Sequence, residues 1–232
     1  MLRVAVARVA PSSSDVDAAM PGWLGGSERR RWTTLAPKSR DAFVASRMLL
    51  RQLLQSATGV PAAAWDVSAE AGSAPIATSA ERVGLQVSLS HRLGWVAAAV
   101  ADAAVGVDVE VDRPARSDPA ERAALMLSPD EVIEWRSLPA SDRDAALLAR
   151  WTAKEAWFKA CPPQAAPWDF RGVRAREGAH ADARANVRTW RAAPVHVAVC
   201  CADARALADA RCDGLPRVDD ERWWQVAAAP SH

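Results

Sequence analysis

The chain has 232 residues and a formal net charge of +1, with half its residues apolar and a quarter charged. That profile suits a globular protein with one large domain or two small ones sharing a core, and it speaks against a globally basic nucleic-acid binder. The opening MLRVAVARVAPSSSD lacks the long apolar core of a signal peptide, and the most apolar stretch, Leu93 to Val107, is short and carries Asp102, so the expectation is a cytoplasmic protein with no membrane span.

In chain order, residues 2–9 alternate as a short strand, and residues 11–26 are loop-like. From Ser27, a candidate N-cap, the spacing of Phe43, Val44, Leu50, Leu53, Leu54 and Ala57 predicts a helical region that Gly59 and Pro61 stop. A short strand is possible near Trp65–Val67. Three strands follow, at 85–90, 95–101 and 105–111, with His91–Gly94 and Asp102–Ala104 read as hairpin turns and Asp112-Arg113-Pro114 as the stop. Helices fill 119–160, broken near Pro129 and Pro139, with Ser128 and Ser141 as candidate caps. Pro162-Pro163 closes that region. Strands are expected at 172–176, 187–191 and 195–201, and a weakly patterned tail from Leu207. Both halves repeat the order strand, helical region, about three strands, which predicts an α+β protein of two lobes, residues 1–103 and 104–232, with a ligand cleft between them.

Four cysteines, Cys161, Cys200, Cys201 and Cys212, make no CxxC pair and no metal-ligand spacing with histidine, so they read as reduced thiols. The chemistry concentrates elsewhere. In Val105-Gly106-Val107-Asp108-Val109-Glu110-Val111, strand alternation puts four valines on one face and Gly106, Asp108 and Glu110 on the other. Two carboxylates about 6.5–7 Å apart along one face can converge on a divalent cation, and oxygen-only ligands suit Mg²⁺. A solvated edge strand presents the same pattern. In Trp151-Thr152-Ala153-Lys154-Glu155-Ala156-Trp157-Phe158-Lys159, Glu155 and Lys159 share a helix face with Trp151, as an ordinary surface Glu–Lys pair would. Yet the only lysines are Lys38, Lys154 and Lys159, so two of three fall in this segment. Three strands running up, down and up bring Ser90-His91 to the same end as Glu110. A histidine donates to phosphate oxygens in either charge state. Arginines at 29, 30, 31, 40, 47 and 51 crowd the first helical region, Arg40 and Arg47 sharing one face.

GVDVE at 106–110 together with WTAKEAWFKA at 151–160 resembles the two signature motifs of the 4′-phosphopantetheinyl transferase superfamily. SLSHRLGWVAAAVA at 88–101 and VHVAVCCA at 195–202 resemble segments of its larger, surfactin-synthetase-activator type. The resemblance implies two pseudo-symmetric lobes, each a small, mainly antiparallel sheet on a long helix. It implies an enzyme of the holo-carrier-protein synthase class, transferring 4′-phosphopantetheine from coenzyme A to a carrier-protein serine and releasing 3′,5′-ADP. By the same resemblance Asp108, Glu110 and Glu155 would bind Mg²⁺, with Asp108, Glu155 and Lys159 catalytic. Arg40, Arg47, Ser90, His91, Asp108 and Lys159 would hold coenzyme A, and Arg31 would add to the basic positions.

The implied partners are acyl- or peptidyl-carrier domains, small and acidic, met by the basic first lobe or by Leu125, Met126 and Leu127. A cytoplasmic monomer working without nucleic acid or membrane is expected. The alternatives are a non-catalytic coenzyme A- or carrier-binding protein and another Mg²⁺-dependent phosphoryl-group hydrolase. Three departures from the family stand out: no basic residue in Ala71-Gly72-Ser73-Ala74-Pro75, Ser88 where Asn is common, and Ala160-Cys161-Pro162-Pro163 after Lys159. The adjacent Trp223-Trp224 would dock the tail.

Overall fold

Two β-sheets meet edge to edge, each with a long helix on the face turned away from their common core. The computed structural model describes residues 1–9, 19–68, 70, 73–81, 84–112, 118–161, 169–179, 182 and 184–228. The expectations for 11–18, Ala71-Gly72, Arg113-Pro114 and Pro162-Pro163 lie outside them.

The first sheet has the order β10-β1-β5-β4, from β1 (Leu2–Arg8), β4 (Gln86–Arg92), β5 (Trp95–Ala101) and the short β10 (Cys212–Asp213). The second has the order β6-β9-β8-β11-β7, from β6 (Val105–Val111), β7 (Val173–Gly178), β8 (Val187–Ala192), β9 (Val195–Cys201) and β11 (Asp220–Ala228). All pairings in these sheets are antiparallel except β1 with β10. A small pair, β2 (Asp66–Val67) with β3 (Ala77–Thr78), lies outside them. The α+β class and the sheet-on-helix lobes are as expected.

Alternation builds the core. Val4, Val6, Ala97 and Ala99 of one sheet and Val105, Val107, Val109, Val197 and Val199 of the other share one buried cluster. On the far face of the first sheet lies α2 (Pro37–Thr58), through Leu50, Leu53 and Leu54. Against the second lies α5 (Arg143–Ala160), through Ala153, Ala156 and Phe158.

Several sequence expectations need correction. The first helical region is two helices, α1 (Gly26–Thr34) and α2, because proline disfavours helical backbone before it and Pro37 can only open a new helix. Gly25, not Ser27, is the N-cap of α1, and the Ser27 hydroxyl donates instead to the Val67 carbonyl. Asp142, not Ser141, precedes α5. Ser128 is, as expected, the N-cap residue of α4 (Pro129–Ser137), and its amide donates to the Glu131 carboxylate. The helical stretch before it is α3 (Pro119–Met126).

Asp102–Ala104 is not a hairpin turn: β6 leaves the first sheet and pairs with β9. The hairpin between β4 and β5 is tighter than expected, since Arg92 still pairs with Trp95 and only Leu93-Gly94 turn, both with positive φ. The tail is ordered into α6 (Ala204–Asp209), β10 and β11. β11 is interior to its sheet, and Trp223 and Trp224 are buried.

Candidate active site

The site grows from the seam between the sheets, where β4 lies beside β6. No backbone ladder joins these two edge strands; side chains do. Alternation along β4 sends Ser88, Ser90 and Arg92 toward β6. The Ser88 hydroxyl accepts from the Val107 amide at 3.0 Å, the Ser90 hydroxyl donates to Asp108 Oδ1 at 2.8 Å, and Arg92 Nε lies 3.0 Å from Glu110 Oε2. The three rungs advance in the same direction on both strands, so β4 and β6 run parallel here. Ser90-His91 therefore meets the carboxylates as expected, although through a seam between sheets and not across a three-stranded meander.

The solvated-edge reading of β6 fails. Asp108 is 3% exposed and Glu110 8%. Their face lies under α5, and Gly106 makes that approach possible: a Cβ there would meet the Ala156 carbonyl oxygen at 2.0 Å.

From α5, Trp151, Glu155 and Lys159 face the carboxylates, the helical stripe expected from the sequence. Lys159 Nζ lies 2.7 Å from Asp108 Oδ1, 3.1 Å from Ser90 Oγ and 3.5 Å from Glu155 Oε2. The Trp151 indole donates to Glu110 Oε1 at 3.2 Å and stacks on Phe170 at 4.3 Å between ring centroids. Burial, reinforced by Asp108, raises the Glu155 pKa against the opposing pull of Lys159, and Glu110 adds to the rise. A carboxyl held up in this way is suited to proton transfer.

Lys154, next to Glu155, points the other way and is fully buried. Its ammonium lies 2.6 Å from Glu131 and donates to the carbonyls of Met126 and Phe170, while Glu131 also accepts from the amides of Ser128 and Ala175. That pair ties α5 to α3, α4 and β7.

A cavity of about 870 Å³ opens over the seam. Ser90, His91, Asp108, Glu110, Glu155 and Lys159 line it together with Arg92, Arg122 and Arg191, and Met126, Leu147 and Leu148 form an apolar side. Arg40 and Arg47 are not among its lining residues. Arg40 stacks on Trp32 at 4.0 Å and Arg47 on Phe43 at 4.6 Å. Burial pushes the Arg47 pKa down to about 10, opposed by Glu28 and helped by Arg51 and Arg31. The positive field of Arg47 still reaches His91. Burial first, then Lys159, Arg47 and Arg92, hold the His91 pKa below 6.5. Of the three apolar residues expected to receive a carrier, Leu125 is 73% exposed, Met126 faces the cavity and Leu127 is buried.

The donor set is chemically right for a hard divalent cation. The sharpest sign is Asp108 Oδ2, a buried carboxylate oxygen with no hydrogen-bond partner. As the side chains stand, no group of three or more His, Cys, Asp or Glu among the described residues is gathered on one point. Two basic side chains explain this: Lys159 lies between Asp108 and Glu155, and Arg92 holds Glu110. Arg92 and Glu131 were missed from the sequence. The alternation of Ser88, Ser90 and Arg92 could have pointed to the first, and the capping pattern Ser128-x-x-Glu131 to the second. All four cysteines are free, and among the described residues no helix is long and apolar enough to cross a membrane.

Residues 104–208 match the family model of the 4′-phosphopantetheinyl transferase superfamily. Over 72 residues the chain is 40% identical to a protein of Bacillus pumilus named 4′-phosphopantetheinyl transferase psf-1. That match spans 31% of this chain and 30% of the relative's length.

Proposed function

Since residues 104–208 match the family model of the 4′-phosphopantetheinyl transferase superfamily, we propose that the chain is a member of it and moves the 4′-phosphopantetheine arm of coenzyme A onto a serine of an apo acyl- or peptidyl-carrier protein, a holo-carrier-protein synthase releasing 3′,5′-ADP. The observation that carries this reading is the seam itself. Two buried carboxylates of β6 face a carboxyl and an ammonium of α5 across one large cavity, and one carboxylate oxygen lacks a partner.

Asp108, Glu110 and Glu155 would hold Mg²⁺, which supplies charge neutralisation at the coenzyme pyrophosphate. Glu155 accepts the proton of the carrier serine as the serine oxygen bonds to the β-phosphorus and the bond to 3′,5′-ADP breaks. Lys159 stabilises the phosphate oxygens in the transition state. Ser90 and His91 hold the phosphorylated adenosine end. Arg47, and Arg40 beyond it, supply positive field from α2 and do not reach into the cavity. The lobes 1–103 and 104–232 share this work, with β10 lent by the second to the first sheet. The reading includes a cytoplasmic monomer whose macromolecular partner is the carrier.

The test weighs apo-carrier domains by intact mass after incubation with coenzyme A and Mg²⁺. A gain of one phosphopantetheine, abolished by EDTA and by Asp108→Ala, is expected. Coenzyme A hydrolysis with no carrier gain would favour a hydrolase, and unchanged transfer in Asp108→Ala would remove the residue assignment.

A further inference from the structure

Each β6 carboxylate carries a basic side chain on one oxygen, and the two attachments differ. Lys159 makes a 2.7 Å hydrogen bond to Asp108 Oδ1. Arg92 lies 3.0 Å from Glu110 Oε2, but its Nε makes no aligned hydrogen bond, so the contact is an ion pair held by charge. The Arg92 side chain is 36% exposed and lines the cavity wall. Glu110 keeps its Trp151 hydrogen bond on the other oxygen, so losing Arg92 would not leave the carboxylate adrift. A loosely aligned guanidinium on a side chain about a third exposed, in the wall of an open cavity, is a group that can leave. A divalent cation needing Glu110 competes for the same oxygen. Once released, the guanidinium sits in a cavity wall with His91 and Lys159, where planar guanidinium groups suit phosphate oxygens.

We propose that Arg92 is a displaceable counter-ion: it neutralises Glu110 until a divalent cation takes that carboxylate, and then turns to a phosphate oxygen of the nucleotide end of the co-substrate. Metal binding and phosphate binding are thereby coupled through one side chain. The inference rests on the reading of Asp108, Glu110 and Glu155 as the metal ligands.

The experiment titrates Mn²⁺ into the full chain, following free Mn²⁺ by electron paramagnetic resonance, with and without saturating 3′,5′-ADP. Wild type, Arg92→Gln and the charge-keeping Arg92→Lys are compared after circular dichroism has shown that each is folded. Without nucleotide, Arg92→Gln binds Mn²⁺ tighter by about 2- to 5-fold, the scale of one partly exposed ion pair. With 3′,5′-ADP, wild type gains at least about 5-fold in Mn²⁺ affinity, and Arg92→Gln loses most of that gain. Arg92→Lys follows wild type in both. Equal or weaker Mn²⁺ binding by Arg92→Gln, an undiminished nucleotide gain in that variant, or Arg92→Lys behaving like Arg92→Gln overturns the proposal and leaves the functional reading standing. Wild type that binds no Mn²⁺ overturns the functional reading and the proposal with it.

Discussion

Gly106→Ala tests the tightest contact behind the site without touching a chemical group in it. The new Cβ would lie 2.0 Å from the Ala156 carbonyl oxygen, 2.6 Å from the Ala160 amide nitrogen and 3.0 Å from the Lys159 carbonyl carbon. Ordinary contact begins near 3.4 Å, and all three atoms are backbone, so no rotamer change relieves the overlap. The last turns of α5 must retreat from β6 by roughly 1.4 Å. Overpacking of this kind costs about 1–3 kcal/mol, and a rigid backbone obstacle puts Gly106 at the upper end. For a chain of this size, about 3 kcal/mol lowers Tm by roughly 6–12 °C. Glu155 and Lys159 ride on the displaced turns, and a misplacement of about 1 Å lowers turnover by roughly 100-fold. Thermal melts by circular dichroism and carrier loading by intact mass, below the variant's melting range, measure the two effects. A Tm unchanged from wild type with kcat within about twofold would refute the argument that α5 rests on Gly106.

Further outcomes follow from other contacts. Lys154→Met strands Glu131 as a buried charge and is expected to cost about 3–5 kcal/mol in urea unfolding. The double variant Lys154→Met/Glu131→Leu stays below wild type, since the amides of Ser128 and Ala175 then lose their acceptor. Trp151→Phe keeps the stack on Phe170 but removes the donor to Glu110, a hydrogen bond to a charged group worth about 1.5–3 kcal/mol; Tm falls by roughly 3–12 °C, and carrier loading measured below the melting range falls as Glu110 loses the group that orients it. His91 has a folded-state pKa below 6.5, so between those values the unfolded chain binds a proton that the folded chain refuses. Stability therefore falls as pH drops below about 6.5, and His91→Gln removes that share of the slope in urea titrations at stepped pH.

Short local patterns carried most of the fold. Valine alternation in 105–111, the period of Phe43, Leu50 and Leu54, and the glycine at 59 each act within a few residues, and the elements they predict are present. Partner choice between strands depends on contacts far along the chain. Nothing local says that Val105 pairs with Cys201 instead of continuing the meander from Ala101, and this misplaced the turn at Asp102–Ala104. β11 was obscure for a related reason. Asp220-Glu221-Arg222 opens it with three charged side chains, and only its two neighbouring strands explain why Trp224 is buried. In the site, the stripe Trp151, Glu155, Lys159 and the face Asp108, Glu110 followed from periodicity alone. Arg92 did not, because its role comes from parallel contact between strands of different sheets. Arg40 and Arg47 were placed by the resemblance and by their shared helix face, neither of which can tell a guanidinium stacked on Trp32 or Phe43 from one aimed at a ligand.

The placement of β10 and β11 has a consequence for vectorial synthesis. A ribosome delivers β1 early, yet its outer edge acquires Cys212–Asp213 only about two hundred residues later. Likewise β7 and β8 do not touch; both wait for β11 to arrive between them. The nascent chain therefore carries β1 and β8 as open edges until the carboxyl-terminal segment emerges. Cleavage after Asp209 would leave β1 and β8 with edges templated for the wrong neighbour.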